Sequence, residues 1–224
     1  MQLSVIIPAL NEAGRIGRTV RGALVPGVAE VLVVDGGSRD GTAEEAAAAG
    51  ARVLTGVRGR GPQQNAGARE AVGETLLFLH ADTTLPPDFP QHVERTLAAP
   101  GVAAGAFRFR LDEPGYSLRL VEWMVNRRSH LLQMPYGDQG IFLRRATFEQ
   151  AGGFPEAPLL EDYELIRRLR RLGRIGIAPA PVVTSSRRWR RLGVWRTTWS
   201  NQMCLLAYWL DVSPERIARW RGAQ

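Results

Sequence analysis

The stretch Leu76-Leu77-Phe78-Leu79-His80-Ala81-Asp82-Thr83-Thr84 decides the fold. Four apolar residues in a row behind Gly73 read as a short strand buried on both faces. The polar break that follows, backed by Pro86-Pro87, ends that strand. Open α/β sheets bind their ligands in the crevice outside the carboxyl ends of such strands. Asp82 stands at that end, and a carboxylate there can hold a divalent cation against a phosphate, because hard cations take oxygen ligands and often only one or two protein carboxylates. A plain turn or capping aspartate is the alternative.

Upstream, residues 4–10 (Ser-Val-Ile-Ile-Pro-Ala-Leu) read as a buried parallel strand ending at a proline. Asn11 is the expected N-cap of the next helix, with Glu12 in its first turn and Ile16 and Val20 on its apolar face. Residues 30–35 form a second strand, again ending in an acid, Asp35. The loop through Asp40 and Gly41 leads to Thr42-Ala43-Glu44-Glu45, a capping-box sequence that opens an alanine-rich helix stopping at Gly50. Arg52-Val53-Leu54 is a third strand, residues 59–62 a flexible loop, and residues 63–72 a helix with Pro62 at its start. Strands alternating with helices over short links predict parallel strands with right-handed crossovers. Residues 1–85 are thus expected to be a doubly wound half-sheet with Asp35, Asp40 and Asp82 along one edge.

Downstream the pattern changes. Residues 104–111 alternate with period two, as a half-exposed strand does. Residues 116–132 have helical spacing and residues 140–143 form a strand. Residues 161–172 form a helix with Leu165, Ile166, Leu169 and Leu172 on one side, and residues 182–184 a last short strand. From Leu192 the spacing 192, 195, 199, 203, 206, 210 marks one amphipathic helix, apolar nearly all round between Met203 and Leu210. Its apolar face is open to the chain's own domain, to a second copy in a homodimer, or to an anionic membrane surface that the arginines at 187, 188, 190, 191 and 196 would favour. The expected units are 1–190, in two halves over 1–85 and 100–190, and a helical segment over 191–224.

Composition narrows the chemistry. All 29 basic residues are arginine, which excludes a P-loop lysine, a Schiff base and a lysine nucleophile. The formal charge of +7 belongs to the C-terminal half, where 18 arginines face 10 acids. No aromatic-basic interleaving falls on the strands, so nucleic acid is not the expected partner. One cysteine, Cys204, excludes an internal disulfide and a cysteine-rich zinc site and suits a reducing, cytoplasmic setting. No leader is expected, and no apolar run approaches the ~20 residues that span a bilayer.

Several blocks, in order, resemble the family 2 glycosyltransferases. They are residues 5–12 (Val-Ile-Ile-Pro-Ala-Leu-Asn-Glu), 33–42 (Val-Val-Asp-Gly-Gly-Ser-Arg-Asp-Gly-Thr), Gly59-Arg60-Gly61 with Asn65 and Gly67, and His80-Ala81-Asp82. Gly137-Asp138-Gln139-Gly140, Gly152-Gly153-Phe154 and Leu160-Glu161-Asp162 continue the series. Each block is weak alone; the ordered set, over about residues 3–190, is specific. It most resembles a small bacterial branch with a His-Ala-Asp signature, some of whose members are labelled arsenosugar-biosynthesis transferases. The resemblance implies a GT-A fold, a Rossmann-like mixed sheet flanked by helices, here with a C-terminal helical appendage. It also implies a UDP- or GDP-sugar donor, a divalent metal (Mn2+ or Mg2+) and inversion at the anomeric carbon.

The same resemblance implies roles. Pro8, Leu10, Glu12, Asp35 and Gly36 would line the nucleoside, Asn65 would approach it from its helix, and Arg60, Ala81, Asp82 and Arg188 would meet ribose and diphosphate. Asp82 would hold the metal with His80, which stands where the family usually has an aspartate; neutral imidazole suits Mn2+ better than Mg2+. Asp162 would be the general base and Glu161 would orient loop or acceptor. Gly137, Gln139 and Trp189 would face a small or lipid-linked acceptor. Processive members carry Gln-x-x-Arg-Trp; here Ser185 precedes Arg188-Trp189, which argues for transfer of single sugars. A sugar-1-phosphate nucleotidylyltransferase would typically need a lysine. A degenerate nucleotide-sugar binder is the remaining alternative, which donor turnover separates.

Overall fold

A computed structural model describes residues 2–222; Met1 and residues 223–224, the ends of the expected units, lie outside them. Strands β1 (Leu3–Ala9), β2 (Val28–Asp35), β3 (Arg52–Thr55), β4 (Thr75–Phe78), β5 (Thr83–Thr84), β6 (Val102–Leu111), β7 (Ile141–Arg144) and β8 (Arg174–Thr184) form one sheet. Their order is β3-β2-β1-β4-β7-β6-β8-β5. The β3-β2-β1-β4 part is parallel, with α1 (Ile16–Ala23), α2 (Thr42–Ala48) and α3 (Arg60–Glu70) as its crossovers. The chain steps outward from β1 to β3, then returns through α3 to β4 on the other side of β1. The strand order therefore reverses between β1 and β4, which puts the ligand crevice beyond Ala9 and Phe78. From β4 onward the sheet turns mixed: β7 runs antiparallel to β4 and β6, while β8 is parallel to β6.

The apolar runs are continuous because both faces are covered. Leu3, Val5, Ile7 and Ala9 enter one core layer with Ile16, Val20 and Phe89 of α4 (Phe89–Ala98). Ile6 enters the other with Leu32, Val34, Leu76 and Phe78, under Leu165, Ile166 and Leu169 of α7 (Glu161–Leu172). Each such side chain contributes roughly 1.5–3 kcal/mol of burial, so a polar residue in either register would be costly. Pro8 lies inside β1, yet no ladder bond is lost. The backbone of residue 6 faces β4, whose last bond is Leu79 N–H to the Ile6 carbonyl at 2.9 Å, and residue 8 faces the same side where β4 has already ended.

Local expectations fail where longer contacts outbid local ones. Asn11 is no N-cap: its φ is +54° and the helix starts at Ile16. Its N–H donates to Ser38 Oγ and its Oδ1 accepts from Arg39 N–H, fastening it to the loop after β2. The capping box at Thr42 does not close. Glu45 instead accepts the N–H groups of Gly14 and Gly17, and Thr42 Oγ1 accepts that of Glu12. Residues 60–62 are helical rather than loop.

The alternating strand begins at Val102 and is buried throughout except at Arg108 and Arg110, because β7 and β8 flank it and α4 and α7 cover it. The last strand is 11 residues long, not three. Its register shifts between Phe107 and Arg108, leaving Pro179 and Ala180 unopposed as a bulge on a largely open edge, where prolines cost no ladder bond. Leu172 is 40% exposed rather than packed. The single C-terminal helix is two, α8 (Arg187–Leu192) and α9 (Val194–Trp209), broken at Gly193 with φ +84°. No helix among the described residues is long and apolar enough to cross a membrane.

Candidate active site

The crevice is floored by the segment after β1 and the loop after β2. Asp35 is buried and accepts the N–H groups of Gly37 and Ser38 at 2.9 Å each, and the Ser38 hydroxyl. It shapes its own turn, and Gly36 ties to β1 through its N–H to the Ala9 carbonyl. A Cβ at Gly36 would come within 3.2 Å of Gln63 Nε2, which donates to the carbonyls of Ala9 and Val34. Asp40 clamps the same loop, accepting from Thr42 and from Ala13 N–H. Leu10 is exposed at the rim and Pro8 partly so.

At the centre, Arg187 Nη2 lies 3.0 Å from Glu12 and 3.9 Å from Asp82. Burial and the nearby Glu12 carboxylate push the Asp82 carboxyl above its usual range, opposed by Arg187. Across the crevice Arg60, at the start of α3, pairs with Glu161 at 3.3 Å. Glu161 is buried; burial and the adjacent Asp162 raise its pKa, and Arg60 opposes them. Helix α3 lies against the loop ahead of α7 at a glycine: a Cβ on Gly61 would sit 2.5 Å from the Pro155 carbonyl.

Asp162 accepts the Gly137 N–H at 2.7 Å and the Tyr163 N–H at 2.7 Å. A Cβ on Gly137 would lie 2.9 Å from His80 Nε2 and 3.2 Å from Asp162 Oδ2, so His80, Gly137 and Asp162 meet at one point. Burial, helped by Arg60, drives the His80 pKa down to about 3, which keeps the imidazole neutral. Its Nε2 is buried and has no hydrogen-bond partner.

Beside them Asp138, in the 3-10 turn η1 (Gly137–Gln139), also has a buried, unpartnered oxygen. Burial pushes its pKa up to about 6 against the pull of Arg128. Because the folded value lies above the unfolded one, ionising Asp138 weakens the fold as pH rises from about 4 through 6, and the full cost remains at neutral pH. Asp138→Asn is therefore expected to gain about 1–3 kcal/mol over the parent at pH 7 and only about 0.5 kcal/mol at pH 4, read from urea melts at the two values.

Not every expected residue reaches the crevice. Asn65 is spent on the backbone of Phe154, donating to its carbonyl at 2.8 Å and accepting its N–H at 2.9 Å. Gln139 is fully buried and its amide is occupied by the Ser129 hydroxyl, the Tyr136 N–H and the Phe107 carbonyl; it props η1 from beneath. Ala81 is buried, its carbonyl bound by the Thr19 hydroxyl. Trp189 packs on Phe109 at 6.0 Å in a side cluster with Leu111 and Leu118. Arg188 is exposed, and its neighbour Arg187 is the arginine that faces Asp82. Sequence reasoning passed over Arg187 and Asp138; each adjoins a named residue, and only the helix phase of α8 and the burial of η1 single them out.

Among the described residues no three His, Cys, Asp or Glu side chains gather as a ready ion cage. The Asp82 carboxylate and the neutral, unpartnered His80 nitrogen have the donor chemistry for an ion completed by ligand oxygens, and His80 Nε2 meets Gly137 and Asp162.

The family model for glycosyl transferase family 2 matches residues 4–149. Among solved structures, glucosyl-3-phosphoglycerate synthase from Mycobacterium tuberculosis, in complex with Mg2+ and uridine-diphosphate, is 27% identical with a TM-score of 0.60, covering 82% of this chain and 70% of that one. A mannosyltransferase from Pyrobaculum calidifontis in complex with GDP-Man and Mn2+ is 22% identical at TM-score 0.64, covering 81% of this chain and 56% of its own. S. aureus TarS in complex with UDP-GlcNAc is 19% identical at TM-score 0.63, covering 83% of this chain and 58% of its own. The chain thus spans 56% to 70% of the length of these three proteins, and it shares with them the GT-A sheet. With more than half its length matched by the family model, the chain belongs to glycosyl transferase family 2.

Proposed function

We propose that the chain is an inverting, metal-dependent glycosyltransferase that moves single sugars from a UDP- or GDP-sugar to an acceptor hydroxyl. The observation that carries this reading is the placement of Asp162. Its carboxylate is fixed by two backbone N–H groups and stands with Asp82 in the field of Arg60, at the switch point of the sheet. Asp162 takes the proton of the acceptor hydroxyl as that oxygen attacks the anomeric carbon. A bond from carbon to the acceptor oxygen forms while the bond from carbon to the diphosphate oxygen breaks on the opposite face, so configuration inverts and no covalent enzyme intermediate is needed. Arg187 and Arg60 face the side on which the diphosphate departs and offset its growing charge. Asp82 and His80 would hold Mg2+ or Mn2+, which when bound supplies further neutralisation at the diphosphate. Gly137 sets Asp162 and His80 side by side; Glu161 holds Arg60.

Thermal shift with UDP and GDP, each with and without Mn2+, tests the donor class. One of the two with Mn2+ is expected to raise Tm by about 5 °C or more at saturating concentration; no shift with either would overturn the reading. A second arrangement has one observation in its favour. Asp138 has a buried free oxygen and a pKa of about 6, suited to accepting a proton near neutrality, and on that arrangement Asp138 would be the base.

A further inference from the structure

We propose that the outer face of α9 docks on an anionic lipid bilayer and lies in its interfacial plane. The helix is apolar on its inner side, where Val194, Leu205 and Tyr208 pack against the hydrophobic clusters, and on its outer side as well. Thr197 and Cys204 are its buried residues, while Trp195, Trp199, Leu206 and Trp209 are 61%, 69%, 47% and 68% exposed. Met203 and Leu210 are exposed too. At about 100° per residue these six occupy one arc of roughly 120°, an apolar face that soluble monomers seldom leave open. Helix α5 (Tyr116–Leu132) packs on α9 and exposes Tyr116, Leu120, Trp123 and Leu131 in addition.

Charge chooses the occupant. From Arg187 to Leu210 the chain carries five arginines and no acid, with Arg187 held by Glu12, Arg190 by Glu113, and the exposed Asp211 just beyond. Arg191 and Arg196 are exposed at the start of the apolar face. Bulky apolar and indole groups on one side of a helix, with arginine at its end and no carboxylate, suit an anionic headgroup layer over an acyl boundary. A second copy fits less well, since an isologous contact would set this acid-free, arginine-bearing face against itself.

The face is also tied to the crevice. Tyr208 donates to Glu164 at 3.0 Å and Trp209 Nε1 to the Tyr163 hydroxyl at 2.6 Å, both on the helix that begins with Glu161 and Asp162. Helix α8, just before α9, carries Arg187 to Glu12 and Asp82. Docking through α9 would thus hold the cleft next to the lipid surface, where a lipid-linked hydroxyl could reach it.

Flotation of the full chain with vesicles tests this. Vesicles of phosphatidylcholine and phosphatidylglycerol in equal amounts are compared with phosphatidylcholine alone, at low and high salt. The parent is expected to float with the anionic vesicles and to be released by salt. Trp195→Ser/Trp199→Ser/Leu206→Ser is expected to lose about ten-fold or more of that partitioning, and Arg191→Gln/Arg196→Gln to lose the preference for anionic over neutral vesicles. All three positions of the first variant are exposed, so its Tm and its UDP or GDP shift should match the parent, separating loss of docking from loss of the donor site. Failure of the parent to float, or equal flotation of the triple variant, overturns the proposal. A parent dimer that the triple variant turns monomeric also overturns it and assigns the face to a second copy.

Discussion

Asp162→Asn is expected to lower sugar transfer by about a thousand-fold while leaving donor binding intact. The substitution keeps shape and one accepting oxygen, so it retains only one of the two N–H groups, Gly137 on Oδ2 or Tyr163 on Oδ1; a thermal melt of the variant checks that η1 and the first turn of α7 stay in register. What disappears is the basicity that takes the acceptor proton. The measurement is nucleotide release with acceptor present, paired with the UDP or GDP thermal shift. Three outcomes separate three roles. Lost turnover with an unchanged shift makes Asp162 the base. Retained turnover, with Asp138→Asn inactive instead, moves the base to Asp138. A nucleotide shift in the parent without turnover under any acceptor leaves a binder of nucleotide-sugars.

The legible part of this fold was the part governed by short-range pattern. Runs such as Leu76–Phe78 and Val31–Val34 have no polar residue to place on either face, so they had to be central strands, and the acids at their ends had to fall along one edge. Local chemistry misled where a side chain had a distant partner. Thr42 and Glu45 have the spacing of a capping box, but the unpaired N–H groups of Glu12, Gly14 and Gly17 draw them across instead. Pro179 and Pro181 hid most of β8, because a proline argues against a strand unless a bulge and an open edge are known in advance.

Several of the residues named from sequence lie around the same crevice, and others do not. The candidate carboxylates were nameable because charged residues at a strand end and a helix start are costly unless something pairs with them. Which arginine of the run at 187–191 turns inward depends on the phase of α8, which no local pattern sets. Asn65 and Gln139 look like ligands in sequence, since buried amides and binding amides carry the same letters; only their backbone partners show that both support loops. The C-terminal stripe was visible as a pattern, but the side of the helix that faces the protein was not.

Asp82→Ala is expected to abolish the dependence of nucleotide binding on Mn2+ and to lower turnover by about a hundred- to a thousand-fold. The argument starts from the fold rather than from the reaction. Asp82 sits partly buried near Glu12, and those two conditions hold its pKa above the usual carboxylate range, so its charge is carried at a cost. Removing it leaves Arg187 paired with Glu12 at 3.0 Å and relieves a like-charge contact. The variant should therefore melt no lower than the parent at pH 7. As pH falls toward the ordinary aspartate range, protonation of Asp82 removes the same cost from the parent, and the difference between the two should shrink. A carboxylate kept where it weakens the fold, at the edge where strand order reverses, is explained by a ligand that restores the balance when it binds. If Asp82→Ala still shows the full Mn2+-dependent shift with UDP or GDP, the cation is held elsewhere, and Asp82 reverts to a turn residue that merely faces Arg187.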